Sequence, residues 1–147
     1  MCDIILIMIP NKDISIHILK QEDIPMLQEF YPYTISYETA SMLYHQMMND
    51  ITYGVYKESE LVGIIQLYKR NNDVYEIGYR TKHLCMHKGY MSTGVQLVVE
   101  TNRDKKIYAK VEETNVFSIK ILENTGFLLE INKDGVLIYG NVLRKGD

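Results

Sequence analysis

From Asp13 to Leu19 apolar and polar residues alternate, with Ile14, Ile16 and Ile18 sharing one side, and a period of two is that of a strand. Gln21-Glu22-Asp23-Ile24-Pro25 then supplies the acidic residues and the proline that open a helix. That helix carries Met26, Leu27 and Phe30 until Tyr31-Pro32-Tyr33 breaks it. After Ser36 the period lengthens to that of a second helix, with Ala40, Leu43, Tyr44 and Met47 on one face and Asn49-Asp50 at its end. Strands are expected over 51–56 and 61–68, joined by the hairpin loop Lys57-Glu58-Ser59-Glu60, and over 74–80. A loop over 81–88 leads into a helix over 89–101 with Met91, Val95, Val98 and Val99 inward, then a strand over 106–112. Residues 115–124 read as a helix stopped by Gly126, which suits the left-handed position after a helix end. Two last strands, 127–131 and 136–142, flank the turn Asp134-Gly135.

Meander strands with helices interspersed indicate an α+β fold: one mixed, mainly antiparallel twisted sheet of about six or seven strands flanked by about four helices. The chain has 147 residues, no internal repeat and no linker, so 1–147 is read as a single domain, with 1–12 as a candidate extra N-terminal strand. Apolar residues make up 46% and charged residues 24%, which excludes intrinsic disorder. The net charge of −3 argues against a nucleic-acid partner. The longest apolar run, Ile4 to Pro10, is far below the roughly 20 residues of a membrane span and is a poor signal peptide, so no membrane partner is expected. Cys2 and Cys85 have neither CxxC nor histidine spacing, so no metal is expected and a reduced, cytoplasmic protein is the simplest reading.

Two stretches hold the candidate chemistry. In Glu76 to Gly94 a strand runs through a glycine-containing loop into a helix start, whose free N–H groups and partial positive charge suit a phosphate. Arg80, Lys82, His83, His87 and Lys88 form a basic island there, with no acidic residue between Arg80 and Glu100. The alternative is a solvated basic loop. The second stretch, Asn115 to Phe127, reads by helix rules alone as an amphipathic helix with an Asn cap and a Gly stop.

Together these stretches resemble the GNAT acyltransferase superfamily, most closely its ribosomal-protein N-acetyltransferase branch. Glu76-Ile77-Gly78-Tyr79 is similar to the branch's E-I-G-Y strand, and Lys88-Gly89-Tyr90 to the end of its following loop. Asn115, Ser118, Ile121, Leu122, Glu123, Gly126 and Phe127 match its later N-x-x-S-x-x-I-L-E-x-x-G-F motif. The acyl-CoA loop departs from the family form: Met86 stands where Gln or Arg is usual, His87 where Gly is frequent, and Met91 where Gly or Ala is usual. Backbone donors survive such changes, whereas the bulk of Met91 would crowd a pyrophosphate.

The resemblance implies an N-acyltransferase using acetyl-CoA (coenzyme A) by direct transfer in a ternary complex. The alternative is a non-catalytic acyl-CoA-binding or interaction module on the same fold. Implied catalytic residues are Glu76, drawing the proton from a primary amine through water, and Ser118, hydrogen-bonding the leaving thiolate. Implied cofactor contacts are Tyr79, Arg80 and Thr81 through their backbone, then Met86, His87, Lys88, Gly89, Tyr90 and Met91, with Asn115. Tyr31 and Tyr33 would line the acceptor channel. The acceptor is expected to be a small-molecule or peptide amine, and the protein a monomer or homodimer.

Overall fold

The structure, a computed structural model, describes residues 13–141; the candidate strand at 1–12 and the end of the last predicted strand at Val142 lie outside the described residues. Seven strands form one sheet in the order β1-β2-β3-β4-β5-β7-β6. In chain order the elements are β1 (Ile14–Ile18), α1 (Ile24–Gln28), α2 (Tyr37–Met47), β2 (Ile51–Lys57), β3 (Glu60–Lys69), β4 (Val74–Thr81), α3 (Tyr90–Thr101), β5 (Lys106–Glu112), α4 (Val116–Asn124), β6 (Leu128–Lys133) and β7 (Val136–Gly140). No helix among the described residues is long and apolar enough to cross a membrane.

The helix starts follow from side-chain caps. Ser36 accepts the Thr39 N–H at 3.0 Å to open α2, and Asn115 accepts the Ser118 N–H at 3.1 Å to open α4. Three short 3₁₀ turns stand at Gln21–Asp23, where the first helix was expected to open, at Asn71–Asp73, where a turn was expected, and at His83–Cys85; none is marked as 3₁₀ by a periodicity. They are single turns, too short to carry one.

Each face of the sheet is covered. On one, α3 and α4 pack Val95, Val98, Ile121 and Leu122 against Val55, Ile65, Ile77 and Ile107. On the other, α1 and α2 pack Leu27, Phe30 and Ala40 with Tyr56, Leu61 and Ile64. A register shift between Val55 and Tyr56, opposite Leu61 to Gly63, turns Val62 to the same face as its neighbour Gly63, so that Val62 fills the α3–α4 core and Leu61 the α1–α2 core.

All strand pairs are antiparallel except β4–β5. That parallel pairing holds only over Val74 to Glu76 against Lys106 to Tyr108. Past it, β4 stays on β3 as far as Thr81 and β5 stays on β7 as far as Glu112. The two central strands therefore part, and the sheet opens along one edge of β4.

Candidate active site

Alternation along β4 decides which of its groups face the opening. Arg70 N–H donates to Val74 C=O at 2.7 Å and Lys82 N–H to Val62 C=O at 2.8 Å. With the β3–β4 register between them, the even residues of β4 turn their backbone groups to β3. Beyond the pairing with β5, the amides and carbonyls of Tyr79 and Thr81 then face the gap. Arg80 is in the other set: its backbone is turned to Ile64, and its side chain lies on the α1–α2 face of the sheet. Thr81 adds a second unmet demand, since its Oγ1 is buried with no hydrogen-bond partner among the described residues.

Two clefts meet at Thr81 and Phe117. A central cleft of about 400 Å³ is lined by Tyr31, Tyr79, Arg80, Thr81, Met86, Asn115 and Ser118 among others. A helix-start cleft of about 250 Å³ is lined by Thr81, His87, Gly89, Tyr90 and Met91 on one side and by Lys120, Ile121 and Asn124 of α4 on the other. Gly89 caps α3 in the left-handed region at φ 79°, two residues after His87 at φ 65°. The first intrahelical donor is Thr93, bonded to Gly89 C=O at 3.3 Å, so the amides of Tyr90, Met91 and Ser92 end the helix without that partner. No carboxylate lines this cleft, while Lys120 and His87 do. An anion fits here.

Met91 does not obstruct the cleft in the way its size suggests. Its side chain is buried in the α3–α4 core, and its methyl lies over Gly63, where a Cβ would come within 2.7 Å of it. The bulk expected in front of the helix is accommodated by a glycine on β3, and only the Met91 amide belongs to the helix start.

At the far end of the central cleft, Tyr79 Oη and Ser118 Oγ lie 2.7 Å apart, and Tyr79 also donates to Ser118 C=O at 3.1 Å. The contact joins β4 to α4 across the opening. Burial pushes the Tyr79 phenol up to about 12, partly offset by the Ser118 hydrogen bond, so the phenol is protonated at neutral pH. Tyr79 thus contributes a hydroxyl as well as backbone. With Ser118 39 residues away in sequence, nothing local in the chain announces the pair.

Among the residues singled out from sequence, Tyr79, Arg80, Thr81, Met86, Asn115, Ser118 and Tyr31 share the central cleft, and His87, Gly89, Tyr90 and Met91 the helix-start cleft. Lys88 is exposed and lines neither. Tyr33 is 73% exposed and lines neither, but a separate hollow of about 240 Å³ with Tyr31 and His83. Glu76 is outside both clefts. It accepts Arg70 at 2.8 and 3.1 Å and Tyr108 Oη at 3.4 Å, at the vertex where β4 and β5 separate. Phe117 lines both clefts and meets His87 edge-on at 5.1 Å, and Lys120 lines the helix-start cleft. Helix periodicity alone treats both as surface and core positions of α4, without marking them for a site.

The two clefts thus present an anion-suited helix start at α3, gap-facing backbone at Tyr79 and Thr81, and a hydroxyl pair at Tyr79–Ser118. The sequence profile of the Acetyltransferase (GNAT) domain matches residues 7–128. No curated protein sequence matches the chain. Among solved structures, a ribosomal-protein-S5-alanine acetyltransferase from Vibrio fischeri is similar, with TM-score 0.71 and 13% identity over 95% of this chain and 98% of that one. A putative acetyltransferase from Salmonella typhimurium, solved with its cofactor acetyl-CoA, has TM-score 0.68 and 13% identity over 90% and 95% of the two chains. A spermidine N-acetyltransferase chimera from Vibrio cholerae and hSSAT has TM-score 0.69 and 17% identity over 89% and 96%.

Proposed function

The chain belongs to the GNAT acetyltransferase family, and we propose that it transfers the acetyl group of acetyl-CoA directly to a primary amine in a ternary complex. The observation that carries this reading is the pair of clefts that share Thr81 and Phe117, one at the α3 start and one at Tyr79–Ser118, with the buried Thr81 hydroxyl unpartnered among the described residues where they meet. Similar solved proteins are named for amine acceptors, a ribosomal-protein alanine and spermidine.

The residues present fit the donor. The amides of Gly89 to Ser92, with Lys120 and His87, would hold its pyrophosphate. The gap-facing backbone of Tyr79 and Thr81, and Thr81 Oγ1, would take its pantetheine amides. Bound there, acetyl-CoA supplies an activated acyl group whose transfer releases a thiol. An N–H of the β4 edge would hold the thioester oxygen as it gains charge. Ser118 Oγ would donate to the departing sulfur, with Tyr79 fixing the orientation of that hydroxyl. The attacking amine must be neutral. His83 lines the central cleft and carries the one imidazole among its lining side chains. Glu76 already accepts a guanidinium and lies apart, so the amine's proton is assigned to His83. The free thiol of buried Cys85 accords with a reducing, cytoplasmic setting.

Calorimetric titration with acetyl-CoA, followed by thiol release with an amine panel, tests the proposal. A Cβ at Gly89 would meet no protein atom within 4 Å, so the cost of Gly89→Val is backbone strain at φ 79° and obstruction of the helix-start cleft. Affinity should fall about 100-fold or more in a protein that circular dichroism shows to be folded. His83→Gln should lower kcat by about 10-fold or more while leaving donor affinity intact. Unchanged donor affinity in folded Gly89→Val would remove the site from this helix.

A further inference from the structure

The proposed reaction leaves the acceptor's chemistry open, and the charges around the reacting end restrict it. Arg80 is exposed at the mouth of the central cleft, and its guanidinium carbon lies 5.6 Å from the centroid of the Tyr31 ring. The same two residues also line a third cleft, of about 310 Å³, on the α1–α2 face of the sheet. The ion pairs of Lys57, Lys69, Arg70, Lys82 and Lys105 each engage a carboxylate. Arg80 has none among the described residues; its neighbour is an aromatic face.

No Asp or Glu lines either the central or the third cleft. Glu76 and Asp50 act electrostatically on Tyr68 at the far side of the third cleft, but Arg70 answers Glu76 at 2.8 Å. A polycationic acceptor would therefore meet a fixed positive charge beside the reacting end and no lining carboxylate to hold its second ammonium. A planar guanidinium that lies over an aromatic ring and lines two clefts is instead suited to a carboxylate.

On the premise of acetyl transfer to an amine, we propose that the acceptor is a primary amine carrying a carboxylate within a few bonds, and that Arg80 binds that carboxylate while Tyr31 supports the body of the molecule. Two sources share this chemistry: a free amino acid, and a peptide whose first residues include Asp or Glu. The step balances without a further reactant. The amine nitrogen forms the bond to the acetyl carbon, the carbon–sulfur bond breaks, and one amine proton leaves as the thiol gains one.

The test compares matched acceptors in thiol release: leucine against leucinamide, Asp-Ala-Ala against Lys-Ala-Ala, and spermidine. Arg80 should confer about a 10-fold preference in kcat/KM for the carboxylate-bearing member of the pair that reacts. Arg80→Gln should erase it through the KM of the carboxylate-bearing member, and Arg80→Glu should reverse it. The amino-acid and peptide pairs distinguish the two sources. Calorimetric binding of the same acceptors, which needs no turnover, keeps the two proposals separable. Arg80-dependent carboxylate binding without acetyl-CoA binding would overturn the transferase reading alone. Preference for spermidine or Lys-Ala-Ala, or a carboxylate preference that survives Arg80→Gln, would overturn the acceptor assignment.

Discussion

Two tyrosines in this protein each hold a 2.7 Å hydrogen bond on a phenol that burial pushes upward, and they do different things. Tyr56 is buried between β2 and α1, where its hydroxyl donates to Asp23 Oδ2 at 2.7 Å, and Tyr79 shares a 2.7 Å hydrogen bond with Ser118. Burial pushes both phenols upward, Tyr56 further because the Asp23 hydrogen bond and charge add to it. Tyr56 is sealed. Its ring stacks on His17 at 3.9 Å, the same Asp23 oxygen accepts the Lys20 N–H at 2.8 Å, and Gly54 leaves room for the phenol where a Cβ would strike it. The Tyr79 contact instead bridges the place where β4 and β5 part, and both its residues line the central cleft. A displaced titration is thus no mark of a site by itself; what separates the pairs is whether the sheet closes over them.

The largest effect should come from breaking the sealed pair. Asp23→Ala strands the buried Tyr56 Oη and removes the acceptor of the part-buried Lys20 N–H, and should cost about 3 kcal/mol of stability in urea denaturation. Its kcat should match the parent's wherever the protein is folded. The open pair should behave in the opposite way. Ser118→Ala and Tyr79→Phe should each lower kcat about 10-fold with a small change in stability, and the double variant should lose no more than either alone, because one hydroxyl acts through the other. Multiplicative losses would separate them.

Alkaline titration sharpens the contrast. Both phenols ionise at higher pH when folded than when unfolded, so their contribution to stability is complete below about pH 10. It fades as pH rises through the folded values, about 12 for Tyr79. Denaturation midpoints should fall above about pH 10, and the fall removed by Tyr56→Phe should extend to higher pH than that removed by Tyr79→Phe. The smallest effect is expected at Glu76. Held by Arg70 outside the central cleft, Glu76→Gln should change kcat by less than about 3-fold, without rescue at high pH. A loss of about 100-fold that alkali recovers would return the base to this carboxylate.

Most of the fold was legible because it is written in local periodicity. The alternation of Ile14, Ile16 and Ile18, the Ser36 and Asn115 caps and the turn at Gly135 each act within a few residues, and element ends shifted by one or two positions. The candidate site was legible where a backbone signal is local, as at the Gly89 helix start. It was not where a partner strand or a distant side chain decides. Met91 turns inward because Gly63, on another strand, makes space for it. Arg80 leaves the gap-facing set because its register is fixed on Ile64. Tyr79 gains a role for its hydroxyl only when α4 brings Ser118 across the opening.

That register supplies the most direct test. If the donor lies along the gap edge of β4, acetyl-CoA should slow amide hydrogen exchange at Tyr79 and Thr81, resolved residue by residue by NMR. The Arg80 amide, already turned to Ile64 on β3, should change little. Slowing at Tyr79 and Thr81 with Arg80 unchanged is the predicted result. Exchange at Tyr79 and Thr81 that is unaltered under saturating acetyl-CoA would contradict a donor held in this opening.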